Sequence, residues 1–175
     1  SKLIFIDGPN HYIEQVDFSA KRVISFVKKG KKTILLECKY MEMCSLMHFA
    51  KSKNEVFYRG HLKSDKRSVL AINLDTKVKR VVATDKENRV DIFRFWVHPN
   101  DSVTVSYIFD KPVYYSNYQP VKVLLAKLKE ALGNAFFKIQ ISQNTRRAFV
   151  SMASDNTHHP LHFSYDFLSE VLTPF

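Results

Sequence analysis

Histidine, cysteine and carboxylate side chains are the groups here best suited to metal or nucleophile chemistry, and their spacing decides how far each can go. The densest group is His158-His159-Pro160-Leu161-His162. In an extended segment His158 and His162 point to one side, and Asp155 is close enough in sequence to be a third ligand for an ion such as zinc. The neighbours Ser154, Asp155, Asn156 and Thr157 are turn formers, so the run reads as a polar loop with solvated histidines. Cys38, Cys44 and His48 make a second group. On a helix Cys44 and His48, at i and i+4, share a face, but no fourth ligand accompanies them, and two buried thiols beside a histidine are the simpler reading.

Asp75, Asp85, Glu87 and Asp91 fall near predicted strand ends, where a metal-dependent nuclease would need two or three acids around one point. Three of these four lie in or beside turns, where aspartate has ordinary structural work. No serine or cysteine sits in a nucleophile-elbow pattern. Gly8, Gly30, Gly60 and Gly133 each stand alone, whereas a loop that closes its N–H groups on phosphate needs several glycines together. The expectation is a chain without a tightly held metal or nucleotide cofactor, inclined to binding rather than catalysis. A nuclease using a histidine pair and a lysine, with no metal, is the enzyme alternative.

The basic residues carry the stronger pattern. Twenty-seven Lys and Arg stand against 17 Asp and Glu, a formal net charge of +10 with a pI near 9.6. Such a surplus attracts polyanions. Lys28, Lys29, Lys31 and Lys32 surround Gly30 at one hairpin tip. Tyr58, Arg59, His61, Lys63, Lys66 and Arg67 line another hairpin, Lys77, Lys79 and Arg80 flank the next turn, and Arg146 and Arg147 form a fourth site. Alternation along a strand sends Tyr58 and Arg59 to opposite faces, so these groups cannot all share one surface. Cationic tips can follow a phosphate backbone, and Tyr114, Tyr115 and Tyr118, in a loop, can offer rings to unpaired bases.

The elements that must position these residues are mostly strands. Leu3–Ile6 is a short strand ended by Asp7-Gly8-Pro9-Asn10. Arg22–Val27 and Thr33–Cys38 make a hairpin. Met43, Leu46, Met47 and Ala50 fall at helical spacing, which predicts a helix over Tyr40–Lys51. Val56–Leu62, Ser68–Leu74, Val78–Thr84, Arg89–Val97 and Ser102–Phe109 read as a five-stranded meander. Asp110–Pro120 reads as an irregular connector. Pro120 opens and Gly133 stops a helix with a stripe of Val121, Leu124, Leu125, Leu128 and Leu132. Ala135–Ser142 and Arg147–Ala153 form a hairpin, and Phe167, Leu168, Val171 and Leu172 give a short terminal helix over Asp166–Leu172. No internal repeat stands out.

The predicted class is therefore α+β: mainly antiparallel sheet, as meander and hairpins, with two main helices and a short C-terminal one. The 175 residues fit a single basic domain over 1–175, with 110–120 as the one plausible seam. No apolar run is long enough to span a membrane. Two cysteines are too few for a disulfide framework, which points to a reducing, intracellular setting in nucleus or cytoplasm. The functional expectation is a nucleic-acid-binding domain for single-stranded or structured DNA or RNA, since the most basic segments are hairpins and no basic recognition helix is evident. A protein–protein interaction module of a larger assembly, with an acidic partner, is the alternative.

Overall fold

Alternation of apolar and polar residues, with turn formers every six to ten positions, resolves into short antiparallel strands throughout the computed structural model. It describes residues 1–39, 42, 44–62, 65–87, 89–133, 135–153 and 159–175. The strands form four small sheets. The first has β1 (Lys2–Phe5), β2 (His11–Asp17), β3 (Lys21–Lys28) and β4 (Lys31–Lys39) in sequence order. The second has β5 (Ser45–Ala50), β6 (Glu55–Gly60), β7 (Ser68–Asn73) and β8 (Lys79–Ala83), again in order. The third has β9 (Ile92–Val97), β10 (Val103–Ile108) and β11 (Pro112–Ser116), followed by α1 (Gln119–Leu132). The fourth has β12 (Phe136–Ile141), β13 (Arg147–Ala153), β14 (Leu161–Asp166) and β15 (Val171–Pro174). Three of the four sheets are thus the same four-stranded up-and-down unit, a repetition of structure that no repeat in the sequence announces.

Of the described residues 56% lie in strands and 13% in helical turns, and α1 is the one α-helix among them. The predicted α+β class with two main helices and a terminal helix is therefore corrected to a mostly antiparallel sheet protein. In place of the helix over Tyr40–Lys51 stand β5 and a single 3-10 turn at Lys51–Lys53; Tyr40, Met41 and Met43 lie outside the described residues. The cause is a bulge. Leu46 faces Tyr58 and His48 faces Phe57, so Met47 is an extra residue in β5. A bulge converts the two-residue strand period into a three-residue step, and Leu46 and Phe49 consequently share a face as they would on a helix.

The terminal helix fails for a different reason. Asp166 Oδ1 accepts from the Leu168 and Ser169 amides at 3.0 and 2.9 Å and from the Ser169 hydroxyl, which tightens the chain into a turn. Glu170 follows with φ of 55°, and Val171–Pro174 returns as β15. Phe167 and Leu172 reach the core, while Leu168 is 90% exposed.

The five-stranded meander is likewise divided. Its first three strands belong to the second sheet and the others to the third. Between them Asp85 is buried, and its carboxylate accepts the backbone N–H groups of Glu87 (3.3 Å), Arg89 (2.9 Å) and Val90 (3.3 Å). Asp110–Pro120 is not irregular. It contains β11, paired with β10 over Thr104–Ile108.

Contacts divide the chain into two compact units, Ser1–Ile92 and Phe93–Phe175. In the first unit, Ile13, Ile24 and Leu35 of one sheet pack on Leu46, Val56, Tyr58, Leu70 and Ile72 of the next. Arg22 donates to the Cys44 carbonyl at 2.6 Å and Gln15 accepts the Leu46 amide at 2.8 Å, so the chain leaving β4 is tied back to the sheet it leaves. In the second unit, Val121, Leu124 and Leu128 of α1 pack on Ile139, Ile141, Ala148, Val150 and Tyr165.

Cys38 and Cys44 are disulfide-bonded, with Cα atoms 6.2 Å apart, which corrects the expectation of two free buried thiols. The sequence separation is 6, and closing so short a loop restricts the unfolded chain by about 2 kcal/mol at most. Adding a reductant should lower the urea midpoint by an amount matching roughly 2 kcal/mol or less. A Cys38→Ser, Cys44→Ser variant should sit at the same midpoint with or without reductant.

Candidate binding surfaces

The hairpin tip predicted to be cationic is built by a two-residue turn. Lys29 and Gly30 have φ of 49° and 77°, the doubly left-handed geometry that matches strand twist. Lys28 and Lys31 stand directly opposite each other, and Lys28, Lys29 and Lys31 are exposed without an ion pair among the described residues. Lys32, on the other face, is bonded to Glu14.

Several other predicted cations already have partners. Arg67 lies 3.1 Å from Asp91, which also accepts the Arg67 backbone amide at 2.6 Å. Burial works against the Asp91 charge, but the Arg67 amide and guanidinium outweigh it and hold the carboxyl below its usual range. Arg80 donates two bonds to Glu55, at 2.9 and 2.6 Å. Lys66 is 3.7 Å from Asp65, and Arg147 is 3.9 Å from Asp166. Arg59 is half-buried, its charge disfavoured by burial and then by Arg67, and its Nε finds no hydrogen-bond partner. Lys77 occupies a left-handed turn position with φ of 58°, and Lys79 is exposed at the start of β8. Arg146 is exposed. Lys63 lies outside the described residues.

The aromatic candidates fare similarly. Tyr58 is in the core, where burial pushes its hydroxyl up to about 12. The Tyr114 hydroxyl accepts the Ile139 amide at 2.7 Å, and its ring stacks on Phe137 at 6.0 Å. Tyr118 stacks on His98 at 4.6 Å. Only Tyr115 of the three connector tyrosines is exposed. They were expected to point outward from a loop; β11 instead alternates Tyr114 and Tyr115 between packed and solvent positions, and Tyr118 takes the N-cap position of α1.

The groups weighed for metal chemistry are also engaged elsewhere. Asp75 accepts from Asn54 at 2.8 Å, and Glu87 lies 3.1 Å from Arg89. His162 sits on β14, its Nδ1 3.0 Å from the Ser151 hydroxyl, while His158 and Asp155 lie outside the described residues. His48 rests against the Phe57 ring at 5.8 Å.

Sequence reasoning missed an open face on the fourth sheet. Register places Gln140, Phe149, Ser164 and Thr173 in one row and Lys138, Ser151 and His162 in the next, with Phe175 extending that row beside His162. Phe136 and Ala153 continue the same face, and α1 covers the opposite one. Phe149 is 48% and Phe175 76% exposed, and the two rings meet edge-to-face at 6.4 Å. His162 stacks on Phe175 at 6.0 Å, and the Lys111 ammonium sits 5.7 Å over Phe136. The available signal was phase: in Arg147–Ala153 the ring of Phe149 falls on the polar beat between buried Ala148 and Val150. A face of comparable apolarity on the first sheet, with exposed Leu3, Phe5, Phe18 and Ile34, is crossed by closed ion pairs, Lys32–Glu14 and Lys21–Glu37. The fourth-sheet face has one ion pair of its own, Arg147–Asp166 at 3.9 Å at its edge, while Lys138 on that face and Arg146 in the turn before β13 make none among the described residues.

The second unit also contains a buried polar chain. His98, 5% exposed, places Nε2 2.6 Å from the Thr104 hydroxyl and Nδ1 3.2 Å from the Thr145 hydroxyl. Thr104 continues to Ser116 at 2.8 Å. Burial pushes the His98 imidazole down to about 4, so it is neutral at neutral pH.

No family model matches the chain, and no curated protein does either. Among solved structures it is similar to TolB from Acinetobacter baumannii, with a TM-score of 0.51 and 7% identity, over 94% of this chain and 40% of that one. The chain thus spans under half the length of that structure, and at this identity the likeness is one of fold alone.

Proposed function

We propose that this chain is a protein-interaction module that takes an acidic partner on the open face of its fourth sheet. The observation that carries the reading is the grouping of Phe136, Phe149 and Phe175 on one exposed sheet face with Lys138 and His162 between them. Exposed aromatic rings on a rigid sheet lose little entropy when a partner covers them, and the Lys138 ammonium among them, with no ion pair among the described residues, favours acidic residues opposite. The net charge of +10 supports the same sign of partner. The Cys38–Cys44 bond favours an oxidising compartment over the reducing one expected from the cysteine count.

Selection of random peptides on the immobilised chain tests this. Recovered sequences should combine Asp or Glu with aromatic or large aliphatic residues. A Phe149→Ser, Phe175→Ser variant should bind them at least about 30-fold more weakly, the scale of two interface anchors. Selected peptides indifferent to both substitutions would remove the reading.

A second reading, nucleic-acid binding, rests on the exposed Lys28, Lys29 and Lys31 at one tip. Fluorescence anisotropy with labelled single-stranded DNA and RNA separates the two. Phosphate contacts by these lysines require affinity to fall with salt at a slope of about 0.7 per contact, and their replacement by Ala must flatten that slope. If that pattern emerges at micromolar protein while Phe149→Ser, Phe175→Ser leaves binding intact, the second reading replaces the first.

A further inference from the structure

We infer that a cavity on the third sheet, beside β12, is a binding site for a small aromatic or branched aliphatic carboxylate. The cavity measures about 140 Å³ and is lined by Phe93, Arg94, Ser106, Ile108, Pro112, Tyr114 and Lys138. Register explains its floor: Ser106 faces Tyr114 and Ile108 faces Pro112, so all four lie on one side of the β10–β11 pair. The pocket opens to solvent beside exposed Phe93 and Ile108, and its volume has room for one benzene-sized body.

Its chemistry is not purely apolar. Arg94 and Lys138 reach the lining from separate strands, β9 and β12, and neither makes an ion pair among the described residues. The Arg94 guanidinium is held 5.5 Å over the Phe93 ring, a contact that orients the planar fork without neutralising it. The Tyr114 ring is fixed from behind, its hydroxyl accepting the Ile139 amide at 2.7 Å and its face against Phe137. Ser106 is buried at the base. The lining therefore combines apolar surface with two cations, an arrangement matched by a ring or short branched chain with a carboxylate one or two bonds away.

The inference is independent of the partner surface, although Lys138 belongs to both. Its test uses phenylacetate as the probe and benzyl alcohol as an uncharged analogue of similar shape, followed by amide and side-chain NMR of the whole chain. Phenylacetate should shift resonances of Arg94, Ile108, Tyr114 and Lys138 at millimolar concentration, and benzyl alcohol should bind at least about tenfold more weakly. Arg94→Met should weaken phenylacetate about tenfold, with little effect on benzyl alcohol.

Absence of shifts at these residues up to about 10 mM phenylacetate overturns the inference. So does equal binding of the two probes, which would leave an apolar dent without carboxylate recognition. Peptide binding by the open face, measured on the Arg94→Met variant, reports separately on the partner surface and should persist if only the cavity reading is at fault.

Discussion

Acid should weaken this protein through His98 before it acts on the carboxylates. The imidazole is neutral in the fold, with its protonation pushed down to about 4 against an ordinary 6.5 in the unfolded chain. Above pH 6.5 neither state binds the proton and the full stability is present. As pH falls from 6.5 toward 4 the unfolded chain takes up a proton that the folded chain refuses, and stability falls with it. The loss over that window is about 3 kcal/mol, a large share of the 5–15 kcal/mol typical of a domain. The held-down carboxyls of Asp85, Asp91 and Asp166 act in a lower window, because their stabilisation is present above the ordinary carboxylate range and disappears only below it.

The His98→Leu variant isolates the effect. At pH 7 it should be less stable than the parent by about 2 kcal/mol, since the Thr145 hydroxyl loses its partner and Thr104 keeps only Ser116. Its urea midpoint should then vary little between pH 6.5 and 4.5, so the parent and variant curves converge as pH falls. Parallel curves would mean that His98 is not the group that titrates.

Removing the Asp85 carboxylate should be as damaging at neutral pH. Burial opposes its charge, yet the amides of Arg89, Glu87 and Val90, together with the Arg89 guanidinium 3.6 Å away, keep it ionised. Asp85→Ala would leave three backbone donors without their acceptor at the point where the chain leaves the second sheet. The expected cost is about 3 kcal/mol. Amide hydrogen exchange should accelerate first at Glu87, Arg89 and Val90, ahead of β7. Asp85→Asn offers one oxygen where two are used, and its NH2 group confronts donors, so it should recover only part of the loss. Unchanged exchange at those amides would show that the loop is held by other means.

The sequence by itself determined the alternation that makes strands, a hairpin turning around Gly30, the helix between Pro120 and Gly133, and the overall positive charge. These are local properties, written in residue period, backbone permissiveness and composition. Only the tertiary structure decided which strands share a sheet, because the polar turn between β8 and β9 reads like any other until Asp85 is seen buried within it. It also decided that Leu46 and Phe49 share a face of a bulged strand, since a bulge and a helical turn both place residues three apart on one side. The cationic sites were legible as residues but not as partners. Arg67, Arg80 and Lys32 meet Asp91, Glu55 and Glu14 from 24, 25 and 18 positions away, and no local pattern records such pairings. The open aromatic face depended on the same non-local fact. Phe149 and Phe175 become a surface only when β13, β14 and β15 pair in register, because side-chain phase sets which face a residue takes and register sets what stands beside it.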